Sequence, residues 1–378
     1  MRPYYPPRRE RADPCSACAG AKSKHVHLIR ISDTGREPLK VTVEVELARA
    51  TAVAALRLAG VPEGHAALQA DLLVEAELRG RPSHGLLRLS RIIERIHNGV
   101  CDPVTQGEHQ WHGALLEVDG QDGLGPVVAC AALDRLIGRV GESRVAIASI
   151  RRNNHLGMLA WYGERVARRG MILIAMCTSE ALVHPWGGRT AMLGTNPLAI
   201  AVPTAAEPFV LDMATSLVSM GQIHDHANRG EPIPDHWALD AEGNRTTDAT
   251  AAKSGAIAPF GEAKGYALGL ALEVLVTTLA ASAVGRDVRG TLDSDQPCNK
   301  GDVFIVIDPL RGGETARTIT AYLDAIRNTP GGQDGQRAAV PGDRALRVRR
   351  DRLAQGIVLG SELWQRLQIL AATAEPAD

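Results

Sequence analysis

Two residue pairs carry the chemistry this sequence could perform. In "RPSHGLLRLSRIIERIHNG" (81–99), Ser83 and His84 are followed four positions after His84 by Arg88. Serine is a good N-cap, so His84 is expected at the positive end of a helix, where the neutral imidazole is favoured. On that helix Arg88 would share its face. A neutral imidazole beside a fixed guanidinium suits a 2-oxo or 2-hydroxy acid. The arginine grips the carboxylate in a bidentate fork, and the histidine exchanges a proton with the neighbouring oxygen. The same residues also read as a capped helix with solvated polar side chains, and local spacing alone favours that plainer reading.

His155 repeats the arrangement. "NNHLGMLAWY" places it after an apolar strand and before a helix, with Gly157 allowing close backbone approach. Ligands of α/β proteins bind at such strand ends, although a satisfied core histidine reads equally well. Further along, Ser179 follows the strand "MILIAMCT", and the turns "GG" (187–188) and "GTNP" (194–197) could cradle a phosphate. Asp212 in "LDMATS" precedes hydroxyls that could bind a ribose or cap a helix. Lys264-Gly265 opens an apolar helix, where a lysine is unfavourable unless an anion lies nearby. The triplet His224-Asp225-His226 cannot put neighbours on one face, and Cys15-x-x-Cys18 with His25 and His27 lacks a second pair, so no metal site is expected.

The elements that must position these groups are legible from periodicity. Residues 1–40 are rich in Pro, Arg and Lys, without apolar pattern, and are expected to be disordered. "VELARATAVAALRLAG" and "HAALQADLLVEAELRG" read as helices, and Leu89, Ile92, Ile93 and Ile96 stripe a third. "VDGQDGLGP" (118–126) reads as a glycine-rich turn before the helix "VVACAALDRLIGRVG". "VAIASI", "MILIAMCT", "LAIAVP", "PFVLDMA" and "DVFIVIDP" read as strands, residues 221–262 as loop, and "KGYALGLALEVLVTTLAAS" as a long buried helix. These imply an α/β fold with a mainly helical outer domain (41–115 with 341–378) around an α/β domain (116–340).

Composition narrows the function. Lys and Arg total 42 against 43 Asp and Glu, so no net field steers nucleic acid or an anionic membrane, and aromatics at 3 % leave little for base stacking. No uninterrupted apolar run has membrane-spanning length, and the first residues carry no secretory apolar region. The 6 scattered cysteines suit a reducing cytoplasm. A G-x-G-x-x-G turn with its following acid, a Walker loop, G-x-S-x-G and H-E-x-x-H are all lacking.

Taken together and in order, "SHGLLR", "NNHLGMLAWY", "PWGG", "LGTNPLAIAVP", "LDMATS", "GEAKGYALGL", "DVFIVIDP" and "VPGD" resemble the type 2 malate/L-lactate dehydrogenase family. That family also holds ureidoglycolate and sulfolactate dehydrogenases, diketogulonate reductase and piperideine-2-carboxylate reductases. The resemblance spans residues 41–372. It implies a nicotinamide cofactor, NAD with NADP as alternative, bound on a fold other than the Rossmann domain, with a mixed sheet. It implies hydride transfer between a small 2-hydroxy acid and its 2-oxo acid, in a homodimer with sites near the interface. It makes His84 and His155 the acid/base candidates, with His155 favoured as acceptor, and gives the carboxylate to Arg88 with help from Ser83. The cofactor would meet Ser179, Asp212, Met213, Ala214, Thr215, Lys264, Gly265, Pro341, Gly342 and Asp343. Residues 1–40 have no counterpart in the family, and Asp343 stands where it usually shows the longer Glu, which puts that contact in question. Reduction of a cyclic imine carboxylate, or a catalytically silent binding homologue, are the alternative readings.

Overall fold

The computed structural model describes residues 27–28, 39–332 and 336–372. The CxxC pair, His25 and the side chain of His27 lie outside the described residues. Among the described residues the first elements are β1 (His27–Leu28) and β2 (Lys40–Val43), then α1 (Val45–Leu58) and α2 (Glu63–Leu78). Two single 3-10 turns, Pro82–His84 and Leu86–Arg88, lead into α3 (Leu89–His97).

Here the structure departs from the expected capped helix. The cap position of α3 is Arg88, and Ser83 lies inside the first 3-10 turn without capping anything. Gly85 breaks the run with extended backbone (φ −96°, ψ −150°), and a Cβ there would overlap the Glu77 carboxylate, which accepts the Leu86 N–H at 3.0 Å. The expected apolar stripe still anchors the segment: Leu86 and Leu89 are fully buried, each contributing about 1.5–3 kcal/mol of burial.

The centre is one sheet. It comprises β3 (Glu108–His112), β4 (Leu115–Gly123), β5 (Val145–Asn153), β6 (Ile172–Cys177), β7 (Leu198–Val202) and β8 (Phe209–Met213), with α4 (Gly125–Ser143) and α5 (Leu159–Ala167) between strands. The segment expected as a turn at 118–126 is mostly the end of β4, irregular where Gln121 and Asp122 take positive φ. Residues expected as loop carry α6 (Met220–Arg229), closed by a Ser219/Gln222 capping box, then β9 (Ala238–Leu239), α7 (Ala249–Ala252) and β10 (Ala256–Ile257) around a small core of their own. Period reading fails there because these elements are too short to show one.

Next come α8 (Glu262–Ala280) and β11 (Gly301–Ile307), followed by α9 (Gly312–Arg327), α10 (Asp343–Gln355), β12 (Ile357–Gly360) and α11 (Ser361–Ala372). The sheet order is β3-β4-β5-β11-β6-β7-β8, mixed, with β4–β5 the parallel pair. Late in sequence, β11 sits in the middle, antiparallel to β5 and β6, which explains its unbroken apolar run. Tyr162, Phe304 and Leu116 are buried in the core that α4 and α5 make with this sheet. A second core gathers α1, α2 and α11, with Trp364 against them, and β12 pairs antiparallel with β2, so the two ends of the chain meet in one layer.

One expectation about packing is overturned. α8 is apolar nearly all round but buried on one face only: Leu272 and Val276 pack against Met176 and Val303, while Leu268, Leu270, Val274 and Leu275 are 39 to 54 % exposed. By length and apolarity it could cross a membrane. Glu273 ties its middle to the α/β body instead, accepting from Asn196 Nδ2 at 2.7 Å and the Gly285 N–H at 2.6 Å.

Candidate active site

His84 and His155 come from different layers and face one another with ring centroids 5.5 Å apart. His84 ends the first 3-10 turn, and its Nδ1 lies 3.0 Å from Ser83 Oγ. His155 follows β5 in an irregular segment ahead of α5. The turn there needs Gly157, whose φ is +71° and whose missing side chain leaves room for Leu72. The Gly157 N–H donates to His155 Nδ1 at 3.0 Å. In a neutral ring that bond places the proton on Nε2, so His155 offers a donor to the cavity.

Both imidazoles are held neutral. Burial pushes the His84 pKa down to about 3, and the charges of Arg88 and Arg81 push the same way. Burial likewise holds His155 well below the ordinary histidine value, reinforced by Arg88, His84 and Lys300. The expected helix dipole at His84 is therefore replaced by desolvation and two guanidiniums.

Arg88 donates through Nε to the Ser83 carbonyl at 2.8 Å and through NH1 to the Thr291 carbonyl at 3.3 Å. Burial, with Arg91 beside it, lowers its pKa to about 10, although Glu180 opposes this. Arg88 has no carboxylate bonded to it among the described residues, which makes it a ready anion receptor. Arg88, His155, Leu72, Leu124, Asn154 and Thr291 line one small cavity of about 30 Å³.

The other expected residues divide into two groups. Ser179 Oγ accepts the Thr195 N–H at 2.9 Å, and Thr215 bonds the Thr195 carbonyl through both its N–H (2.8 Å) and Oγ1 (3.0 Å). Thr215 Oγ1 also lies where a Cβ on Gly269 of α8 would press. Ser179, Thr195, Thr215 and α8 thus form one hydroxyl-rich wall. Lys264 is exposed on the first turn of α8, next to buried Gly265, and the α8 N-cap, Gly261, caps nothing by a side chain. A helix start without a side-chain cap and with a lysine on its first turn has the polarity to take an anion.

Asp212 is spent structurally. Its Oδ2 accepts the Ala160 N–H at 2.9 Å at the start of α5, its backbone carbonyl accepts from Arg81 at 3.3 Å, and burial raises its pKa. Met213 closes β8 and Ala214 follows it, both half-buried. Pro341 and Gly342 turn at φ +97° near the Val210 carbonyl. Asp343 pairs with Arg327 through two bonds of 2.8 and 2.9 Å and accepts the Val340 N–H at 3.1 Å. The shorter side chain is thus engaged within its own helix-loop unit. Asp225 pairs with Arg229 and His226 Nδ1 lies 3.0 Å from the Pro232 carbonyl, so two members of the triplet on α6 are occupied.

Several residues escaped sequence reasoning. Lys300 and Asp302 form a fully buried pair (2.5 and 2.6 Å), and Asp302 also accepts from Asn153 Nδ2 at 3.0 Å, two positions before His155. Their signal was available: charged residues at alternate positions opening an apolar strand share a face and need each other. Glu180 accepts the N–H groups of Thr291 (2.7 Å) and Leu292 (2.8 Å), closing the 290–293 loop over Arg88. That contact joins the loops beside neighbouring strands β6 and β11, more than a hundred residues apart in sequence, and left no local trace.

The described site thus combines two neutral histidines, a half-buried arginine without a carboxylate partner and a hydroxyl-lined helix start on an α/β fold. The chain belongs to the malate/L-lactate dehydrogenase family, whose profile matches residues 43–368. It is 34 % identical over 336 residues to malate/(S)-sulfolactate dehydrogenase of Methanothermus fervidus, covering 87 % of this chain and 97 % of that one. A dehydrogenase crystal structure from Sinorhizobium meliloti superposes with a TM-score of 0.85 at 50 % identity, over 88 % of this chain and 98 % of that one. The delta1-piperideine-2-carboxylate reductase of Pseudomonas syringae pvar. tomato is similar at a TM-score of 0.77 and 28 % identity, over 87 % of this chain and 99 % of that one.

Proposed function

We propose that the protein is an NAD(P)-dependent oxidoreductase interconverting a small 2-hydroxy acid and its 2-oxo acid. The observation that carries this is half-buried Arg88, without a carboxylate partner among the described residues, beside two neutral imidazoles. Arg88 holds the substrate carboxylate, and Ser83 supports its position through the carbonyl that Arg88 grips.

The nicotinamide cofactor, when bound along the Ser179–Thr215 wall and the start of α8 around Lys264 and Gly265, supplies the hydride acceptor. Met213 and Ala214 run directly into Thr215 of that wall, and Gly342 of the 341–343 turn lies near the Val210 carbonyl of the same strand, β8. The protein's own residues manage the proton. His155 Nε2–H donates to the substrate oxygen and orients it, because its Nδ1 is taken by Gly157. His84 then accepts the hydroxyl proton during oxidation, in the tautomer whose Nδ1–H donates across the 3.0 Å contact to Ser83 Oγ and leaves the Nε2 lone pair free. A carboxylate on Arg88 offsets the charge that depresses both rings and so raises their basicity when substrate is present.

Exposed Leu270, Val274 and Leu275 on α8 form the face through which two copies pair in this reading. Cys101, Cys130, Cys177 and Cys298 are free thiols, as a cytoplasmic enzyme would keep them. The layer joining β2, α1, α2, β12 and α11 supports an outer unit built from both ends of the chain, but β3 pairs with β4 in the central sheet, so the α/β unit starts no later than Glu108 rather than at the expected residue 116.

The test is a panel of 2-hydroxy acids with NAD and with NADP, read by absorbance of the reduced cofactor. Turnover with none of them, despite cofactor binding, would sink the reading. The likeness to a piperideine-2-carboxylate reductase supports a second reading, imine carboxylate reduction at the same clamp, which the reverse assay with a cyclic imine separates. Failure to bind either reduced cofactor would favour the silent homologue.

A further inference from the structure

Glu77 is a buried acid that neither the carboxylate clamp nor the proton transfer uses. It stands in the last turn of α2, at the end of a helix whose dipole repels an anion. The basic groups around it are engaged elsewhere. Arg79 donates to Glu75 at 2.6 Å and to Glu164 at 2.7 Å, and Arg352 of α10 donates to the Glu77 backbone carbonyl rather than to the carboxyl. Among the described residues Glu77 has no ion pair, and its carboxyl takes one hydrogen bond, from the Leu86 N–H at 3.0 Å. A buried carboxyl without a charge partner is costly, so what it holds matters.

Leu86 marks the joint between two closed turns. The first is closed by the Gly85 N–H on the Pro82 carbonyl at 3.0 Å and ends in His84. The second is closed by the Arg88 N–H on the Gly85 carbonyl at 2.9 Å and ends in Arg88, whose Nε reaches back to the Ser83 carbonyl at 2.8 Å. The Leu86 N–H stands between the two turns, and Glu77 takes it. The acid also shapes the joint by contact. A Cβ on Gly85 would lie 2.2 Å from Glu77 Oε1 and 2.9 Å from its Cγ. The negative φ of Gly85 (−96°) does not itself call for glycine, so the acid is what requires it.

We propose that Glu77 is a positioning residue for the reaction: by holding the joint at Gly85–Leu86 it fixes His84 relative to Arg88. This rests on the roles given above to His84 and Arg88, and adds the group that sets their relation. Arg88 holds the substrate and His84 takes its proton. A shifted joint therefore moves the acceptor off the clamped hydroxyl while the clamp still binds.

The test measures kcat, KM and reduced-cofactor affinity of the full chain as wild type, Glu77→Met, Glu77→Gln and Gly85→Ala, at a temperature well below each Tm. A misplacement on the order of 1 Å costs about 10²-fold in rate. Glu77→Met should lower kcat by about 10- to 100-fold, with KM and cofactor affinity within about three-fold of wild type. Glu77→Gln keeps an acceptor for Leu86 and should recover most of kcat. Wild-type kcat in Glu77→Met assigns the acid to folding alone and overturns the proposal, as does a Glu77→Gln no better than Glu77→Met. Should Glu77→Met not fold, Gly85→Ala carries the test, because its methyl pushes the retained acid off Leu86. It should lower kcat by the same factor with KM held, and an unchanged kcat overturns the proposal. If wild type oxidises none of the 2-hydroxy acids, the roles of His84 and Arg88 have failed, and the joint is judged by NMR of the histidine rings. The His84 signals, assigned by their loss in His84→Gln, should move in Gly85→Ala and stay in place in Glu77→Gln. Signals that do not move in Gly85→Ala overturn the inference.

Discussion

His84 and His155 stand with ring centroids 5.5 Å apart, one on a 3-10 turn of the helical layer and the other at the end of a central strand. The pair exists only because those two layers close on each other, and both rings are kept uncharged by that closure.

Replacing either ring should expose the division of labour. His84→Gln removes the proton acceptor and should lower kcat by about 10²- to 10⁴-fold. His155→Gln keeps a donor and should lose less. Steady-state rates with the best substrate of the panel check this, and near-normal turnover in both variants would discard the mechanism.

Arg88→Ala should raise KM far more than it lowers kcat if the guanidinium grips substrate and transition state alike. Arg88→Lys should recover only part, since an ammonium cannot form the bidentate fork. An unchanged KM in Arg88→Ala would remove the clamp.

Glu77 makes stability depend on pH. Burial raises its carboxyl pKa from 4.5 to about 7, against the opposing Leu86 N–H and Arg352. The folded pKa lies above the unfolded one, so the stabilisation is full below about pH 4.5 and is lost as pH rises to about 7. Glu77→Gln keeps an acceptor for Leu86 without the charge. Its stability relative to wild type should therefore improve by about 3 kcal/mol between pH 5 and pH 8. Denaturant unfolding at the two pH values measures the difference, and a constant gap would refute the account.

Lys300→Met strands the Asp302 carboxylate in the sheet centre. Burial works against the Lys300 ammonium, yet Asp302 holds its pKa above the ordinary lysine value, so the pair is ionised. Breaking it should cost about 3–5 kcal/mol, while Lys300→Met with Asp302→Leu should recover most of the loss. Thermal unfolding of the single and double variants decides between a needed pair and a dispensable one.

Much of the scaffold was legible in order along the chain. The apolar runs of β6 and β11, the stripe of α3 and the helix periods of α1 and α2 are local patterns, and the structure keeps them. Ser83, His84, Arg88 and His155 were also singled out by residue type and spacing, before any geometry joined them. The small unit at 220–257 was not legible, because strands of two residues and a helix of four carry no period.

The sequence by itself determined which side chains were available for acid/base work and anion binding, and which segments had to be strand or helix. Only tertiary structure decided their states. Glu77 pulls the Ser-His-Gly segment into 3-10 turns, where local rules expect a capped helix. Packing of that turn against the end of β5 brings the two histidine rings together, tilted by 36°. The same closure leaves Arg88 and Arg91 without acids, spends Asp212 on α5 and turns the apolar side of α8 outward. The reason is physical: desolvation and pairing are properties of what surrounds a group, and most of what surrounds these groups comes from distant parts of the chain.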